Sequence, residues 1–142
     1  MLGLTSALSS SSEKEQNHSL TFDGVNDHLD LGDVLDVGTA DYSTSVWIKQ
    51  SVAADSFDYI LAKHEDSDNR VDILLTDNNI IQALAKGSGN QVYNFTGGTA
   101  LDALVGTWVN ITITVDRDGQ AKMYVNGSTS TYGNSGESCT NT

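Results

Sequence analysis

The sequence predicts an all-β fold, an antiparallel β-sandwich, and three observations support this prediction. Short segments in which apolar and polar residues alternate recur along most of the chain. Turn-forming residues separate these segments about every ten residues, which is the spacing typical of sandwich and barrel strands. The 142 residues are also enough to bury one hydrophobic core without support from disulfides or metals.

The predicted strands are short and follow one another through turns. The clearest covers residues 108–116, where valine and isoleucine alternate with polar residues before Asp118 and Gly119 close a hairpin. One helical turn is expected at residues 100–105. The predicted strands are residues 20–22, 28–31, 42–49, 57–64, 70–76, 80–86, 91–95, 108–116 and 120–127.

Alternation also predicts the core, because successive residues of a strand point to opposite faces. Trp47 and Trp108 are interpreted as core or sheet-end residues, and stacking against a sugar ring is the alternative. Tyr93, Tyr124 and Tyr132 are expected at surface contacts. The residues expected to be mostly buried are Leu20, Phe22, Leu29, Leu31, Val46, Ile48, Val109, Ile111, Ile113, Val115, Met123 and Val125.

The chain is strongly acidic, with 19 Asp and Glu against 7 Lys and Arg and a net charge of −12. Such a surface repels phosphate, so nucleic acid is not an expected partner and anionic membranes are disfavoured. No segment reaches the roughly 18 apolar residues of a membrane span, so no membrane insertion is expected. The single cysteine, Cys139, excludes an internal disulfide and a cysteine-based metal cluster.

Both ends of the chain are polar and flank the predicted sandwich of residues 19–128. Residues 1–18 form a serine-rich arm, which we interpret as a mature N-terminus because its apolar stretch lacks a basic start. The arm is expected to dock onto another chain through its scattered leucines, Leu2, Leu4 and Leu8. The alternative is that it completes an open sheet edge of its own domain. Residues 129–142 are a polar tail or the start of further strands.

One loop has the composition of a cation site. Asp23, Asn26 and Asp27 place three side-chain oxygens within five residues around Gly24, and calcium prefers such oxygen ligands. The alternative is a turn whose Asp and Asn side chains hydrogen-bond to the local backbone. Calcium is therefore the one cofactor that the residues suggest.

Groups for catalysis are sparse. The acidic loop at residues 65–69 is interpreted as solvated, with a cation or partner contact as the alternative, and His18, His28 and His64 lack zinc spacing. A retaining glycosidase needs two carboxyl groups about 5 Å apart. No predicted strand carries such a pair, since Asp72 stands alone in its strand. We therefore predict that the chain is not an enzyme.

Four segments stand in a recognisable order along residues 19–128: SLTFDGVNDHLDLGD, YSTSVWIK, ILAKHED and GTWVNITITVDRDGQAKMYVNG. Their combination resembles the laminin-G-like branch of the concanavalin A-like lectin and glucanase superfamily. The resemblance implies a jelly roll of two antiparallel sheets, with calcium sites at sandwich edges. Family members continue with further strands beyond the Tyr-x-Asn-Gly hairpin, whereas this chain ends in SGESCTNT. The resemblance thus implies a sandwich incomplete at its C-terminal end, as a fragment or with strands supplied from elsewhere.

Three functions follow from these observations. The favoured hypothesis is a non-catalytic virion-surface protein of the decoration or fibre type, docked through its N-terminal arm, because similar folds occur in phage structural proteins. The alternative is a calcium-dependent carbohydrate-binding domain of a secreted bacterial protein, and a degenerate glucanase is the third. The expected partners are other chains of an assembly, and then glycans. The expected location is a virion surface or the extracellular space.

Overall fold

The computed structural model describes residues 18–34, 36–67, 69–87, 90–97, 100–129 and 137–138. The chain divides into two compact units, Met1–Val34 and Leu35–Thr142. The expected helical turn is confirmed as a short 3-10 helix at Leu101–Leu104. No helix among the described residues is long and apolar enough to cross a membrane.

In the first unit, residues 18–34 form turns and extended segments but no strand. The predicted strands at residues 20–22 and 28–31 are therefore wrong. Aspartate side chains, and not a neighbouring strand, bind several of the backbone amides here, as at Asp23 and Asp30. The four apolar residues predicted to be buried in this segment are instead exposed: Leu20, Phe22, Leu29 and Leu31.

The second unit contains two antiparallel sheets. Its strands, in chain order, are β1 (Tyr42–Ile48), β2 (Asp58–His64), β3 (Arg70–Leu75), β4 (Ile81–Gly87), β5 (Asn90–Gly97), β6 (Val109–Val115), β7 (Gln120–Val125), β8 (Ser128–Thr129) and β9 (Glu137–Ser138). The first sheet has the order β1-β6-β7-β8, and β9 also pairs with β7. The second sheet has the order β2-β3-β4-β5. An all-β sandwich of the jelly-roll type is thereby confirmed.

Strict register links β1 to β6, from Tyr42 opposite Val115 to Ile48 opposite Val109. The β6–β7 hairpin closes at Gly119, as predicted, and a side chain would fit there only if the Asp116 carboxylate moved. A Cβ atom at Gly119 would lie only 2.4 Å from Oδ2 of Asp116. The register of the first sheet thus determines which side chains face the second sheet and which face outwards.

The core lies between the inner faces of the two sheets. The predictions for β6 and β7 are confirmed, because Val109, Ile111, Ile113, Val115 and Met123 are all buried. Val46, Ile48 and Val125 are partly buried and pack against this cluster. Tyr93, expected at the surface, is instead buried, and its hydroxyl lies 2.7 Å from that of Tyr42. This hydrogen bond joins the two sheets inside the core.

Asn79 connects three segments near one end of the second sheet. Its backbone has a positive φ of 55° in the turn between β3 and β4, and the residue is buried. Its Oδ1 accepts hydrogen bonds from Nε2 of Gln50 at 2.8 Å and from the amide of Ala54 at 3.2 Å. Its Nδ2 donates to Oδ1 of Asp102 at 3.0 Å, in the 3-10 helix. One side chain therefore holds the turn, the loop before β2 and the helix together.

Candidate functional site

The outer face of the first sheet carries polar and aromatic side chains in ordered rows. This face arises from alternation, because the residues between them on β1, β6 and β7 point into the core. Its side chains offer hydroxyl, amide and aromatic groups and one ammonium. We define the outer face by eight residues: Ser43, Ser45, Trp47, Asn110, Thr112, Thr114, Lys122 and Tyr124.

Three of these side chains form a closed hydrogen-bonded ring, which we call the polar ring: Ser45, Thr112 and Asn110. Ser45 lies directly opposite Thr112 across the two strands, and their hydroxyl oxygens are 3.0 Å apart. Nδ2 of Asn110 donates to Oγ of Ser45 at 3.0 Å. Oγ1 of Thr112 donates to Oδ1 of Asn110, also at 3.0 Å. The ring therefore consists of three bonds, each of which joins one member to the next.

The contacts of the polar ring indicate how its hydrogens are arranged. The orientation of the Asn110 amide is set by the carbonyl of Val46, 3.5 Å from Nδ2, because an oxygen there would repel it. Thr112 uses its only hydrogen on Asn110, so Ser45 must donate the hydrogen that bridges the two hydroxyls. Both amide hydrogens of Asn110 and both hydroxyl hydrogens are then engaged within the protein.

An exposed indole lies beside the polar ring. Trp47 is opposite Asn110 in the register and its side chain is 62% exposed. Trp108 directly precedes β6 and is also half exposed, so neither tryptophan is a core residue. The sequence contained the signal for Trp47, because it alternates with Val46 and Ile48, both predicted to point inwards. Tyr124, opposite Thr112, is partly exposed and borders the ring on its other side.

An open depression of about 510 Å³ continues the outer face. Thr114, Lys122 and Tyr124 belong to both the face and the depression, whose floor and rim also include Asp41 and Asp116. Both carboxylates are held in place by backbone amides, since Asp41 accepts from residue 117 at 2.8 Å and Asp116 accepts from residue 118 at 3.1 Å. The neutral polar ring thus adjoins a depression of mixed charge.

The predicted calcium loop is closed by its own hydrogen bonds. Oδ1 of Asp23 accepts from the amides of Val25 at 2.8 Å, Asn26 at 3.2 Å and Asp27 at 3.4 Å. The amide of Asp23 donates in return to Oδ2 of Asp27 at 2.9 Å. Gly24, with φ of 75°, permits the tight turn. Asp23, Asn26 and Asp27 each retain one side-chain oxygen that accepts no described hydrogen bond, so calcium at this loop stays a prediction.

These amides also affect the ionisation of Asp23. Hydrogen bonds from the backbone, first from Val25 and then from Asn26, lower the pKa of the Asp23 carboxyl below its usual value of 3.8. The carboxylate is thus stabilised as an anion by the turn itself. No group of three or more His, Cys, Asp or Glu side chains among the described residues is arranged to hold a metal ion.

A family model of the laminin-G type, described as the concanavalin A-like lectin/glucanases superfamily, matches residues 23–141. The chain belongs to this superfamily. The resemblance inferred from the four sequence segments is thereby confirmed. A search of curated proteins finds no match to the chain. Laminin-G-like domains are generally non-catalytic binding modules, so membership supports a binding function in general terms.

In this laminin-G-like domain the carboxylate of Asp72, on β3 of the second sheet, is held by side chains of its own sheet. Asp72 is fully buried, accepts a 2.5 Å hydrogen bond from Nε2 of His64 and lies 3.5 Å from Nε of Arg70. At that distance Arg70 forms an ion pair but not a hydrogen bond, and Oδ2 of Asp72 has no hydrogen-bond partner among the described residues. Tyr59 covers the His64 ring edge-on, with ring centroids 5.8 Å apart. The arrangement neutralises a buried charge.

The remaining candidate residues are placed as follows. The acidic loop at residues 65–69 is a hairpin turn between β2 and β3, in which Asp66 accepts from the amide of Asn69 at 2.8 Å. The predicted docking leucines, Leu2, Leu4 and Leu8, lie outside the described residues, as do Tyr132 and Cys139.

Proposed function

We propose that this laminin-G-like domain is a non-catalytic module displayed on a larger assembly of the virion-surface type, and that its outer face binds carbohydrate. The observation that carries the proposal is the exposed indole of Trp47 beside the polar ring. Carbohydrate ligands have an apolar C–H face and a rim of hydroxyl groups. An indole and a set of fixed polar atoms on one rigid sheet match both features.

The rigidity of the outer face favours binding. Ser45, Thr112 and Asn110 are held by one another and by two paired strands, so little side-chain freedom remains to be lost when a ligand binds. Trp47 and its cross-strand partner Asn110 lie two residues along the strands from the Ser45–Thr112 pair, a distance of about 7 Å. A sugar that stacks on the indole can therefore extend its hydroxyl groups towards the polar ring.

Display on an assembly would compensate for weak binding at a single face. A shallow, solvent-exposed sheet surface provides few contacts, but many copies on one particle raise the effective concentration of the second and later binding events. The strongly negative charge, −12, favours solubility and keeps neighbouring copies apart. The N-terminal arm is the proposed attachment segment, with Leu2, Leu4 and Leu8 inserted into a partner surface.

A second candidate function is calcium-dependent carbohydrate binding through the loop at residues 23–27. The observation that favours it is the side-chain oxygen that Asp23, Asn26 and Asp27 each retain outside the described hydrogen bonds. A calcium ion would coordinate these oxygens and bridge to a sugar hydroxyl. This function requires the metal, whereas binding at the outer face does not, and a chelator separates the two.

The test is glycan-array binding of the whole chain, followed by titration calorimetry with each glycan that binds. Trp47→Ala should lower affinity at least about tenfold, because it removes the stacking surface. Phe57→Ala is the matched control, since Phe57 is 59% exposed but precedes β2 of the other sheet. Chelator should leave binding unchanged. Loss of binding in chelator would favour the calcium loop, and equal effects of the two substitutions would refute the outer-face site.

Attachment through the arm has its own test. Deletion of residues 2–16 should leave the melting temperature nearly unchanged and abolish cosedimentation of the chain with the particle that carries it. Replacement of only Leu2, Leu4 and Leu8 by serine should reproduce the loss. A truncated chain that unfolds or aggregates would show that the arm is part of the domain, and the attachment proposal would then be wrong.

A further inference from the structure

We infer that the polar ring makes the part of the outer face beside Trp47 selective for neutral sugars and excludes acidic ones. This inference rests on the proposed carbohydrate binding and specifies the ligand class of that same surface. It follows from which hydrogen-bonding groups of Ser45, Thr112 and Asn110 remain available to a ligand.

The polar ring can only accept hydrogen bonds from a ligand. Ser45 donates to Thr112, and Thr112 donates to Asn110. Asn110 donates its two amide hydrogens to Ser45 and to the carbonyl of Val46. No hydrogen of the three side chains remains free, whereas each of their oxygens keeps one lone pair. The ring therefore presents three acceptors and no donor.

Acceptors of this kind distinguish between sugar classes. A sugar hydroxyl can donate its hydrogen to any of the three oxygens. A carboxylate has lone pairs only, so beside the ring it would lose its hydration and gain no hydrogen bond in return. The same is true of sulfate and phosphate esters. A neutral pyranoside is therefore accepted where its uronic acid counterpart is rejected.

The single cation of the outer face does not offset this exclusion. Lys122 is opposite Thr114, which lies two residues along β6 from Thr112, so it is about 7 Å from the polar ring along the strands. It lines the same depression as Asp41 and Asp116, whose carboxylates oppose its charge. An acidic sugar at the ring would thus meet acceptors at close range and no compensating positive field.

The experiment compares sugars that differ only at C6. β-1,4-linked mannohexaose and the β-1,4-linked hexamer of mannuronic acid have the same ring configuration and linkage, and α-1,4-linked galactose and galacturonic acid hexamers form a second pair. Binding of the full chain is measured by calorimetry alongside a glycan array containing neutral and acidic members. We expect at least a tenfold preference for the neutral member of any pair that binds, and array hits confined to neutral glycans.

A variant tests whether the polar ring causes the preference. Thr112→Val keeps the shape of the side chain but frees the Ser45 hydrogen, which can then donate to a carboxylate. The neutral-to-acidic ratio should fall towards one. Thr96→Val is the matched control, because Thr96 is an exposed threonine on β5 of the second sheet and has no described side-chain hydrogen bond. Its ratio should not change.

Measurement in about 1 M salt, where the Debye length is about 3 Å, separates the ring from the net charge of the domain. The preference for neutral over acidic sugars should persist at this salt concentration. If the preference disappears, its cause is the net charge of the domain, and the inference is overturned. Equal binding of neutral and acidic sugars would overturn it while leaving the proposed function intact. Absence of binding to every glycan would overturn the proposed function and the inference together.

Discussion

Asn110 on β6 donates a 3.0 Å hydrogen bond to Ser45 on β1, which joins the two strands on the side of the sheet that faces away from the core. The bond has two consequences. It adds a side-chain contact to the backbone pairing of β1 with β6, and it holds the polar atoms of the outer face in one arrangement. The first consequence can be measured as stability and the second as binding.

Ser45→Ala should destabilise the domain by about 1 kcal/mol, because it removes two hydrogen bonds at a partly solvated site. Ser43→Ala is the control, since Ser43 lies on the same face of β1 without a described side-chain hydrogen bond. Chemical denaturation of both variants measures the difference. Equal free energies of unfolding for the two would show that the polar ring contributes nothing to stability.

Ile111→Ala should destabilise the domain by roughly 2–5 kcal/mol, as other large-to-small core substitutions do. Ile111 is fully buried at the centre of β6, between Val46 on β1 and Val125 on β7. Ile111→Val should cost about 0.5–1.5 kcal/mol. A loss below about 0.5 kcal/mol for the alanine variant would mean that the faces of β6 are inverted.

Arg70→Met should destabilise the domain by about 3 kcal/mol, because it removes the guanidinium that pairs with the fully buried Asp72. The double variant Arg70→Met with Asp72→Leu should recover most of that stability, since no charge is then left buried. Urea unfolding of the two variants measures this. A double variant that is less stable than Arg70→Met would show that Asp72 is needed for something other than this pair.

The turn at Asp23 should respond to acid in a defined range. The pKa of Asp23 is lowered in the folded chain, so above pH 3.8 its carboxylate keeps the hydrogen bonds to the backbone amides. These hydrogen bonds are lost as the pH falls through the lowered pKa. An NMR titration of the Asp23 carboxyl carbon should give a midpoint below 3.8. A midpoint at or above that value would show that the three amide hydrogen bonds do not form in solution.

Much of the second unit could be predicted from alternation alone. The faces of β6 followed directly from the sequence, because valine and isoleucine alternate there with Asn and Thr without interruption. The outward direction of Trp47 was available from the same rule and was missed because large aromatic residues are more often buried. The burial of Tyr93 was missed for a related reason, since its hydroxyl suggested the surface and its partner Tyr42 is distant in sequence.

Other features depend on contacts that a single sequence does not encode locally. Leu20 and Phe22 alternate with polar residues, but a strand forms only where another strand supplies hydrogen bonds, and no strand includes residues 18–34. The polar ring could not be predicted either, because Ser45 and Asn110 are 65 residues apart and meet only through the β1–β6 register.

The contacts of Asn79 affect how the domain unfolds. Since one buried side chain binds residue 50, the amide of Ala54 and Asp102, none of these segments can open without leaving the others short of a hydrogen bond. Local fraying there is therefore replaced by a single collective event. Amide protons around all three segments should exchange with solvent at one common rate, and the domain should lose this end of its structure in one step.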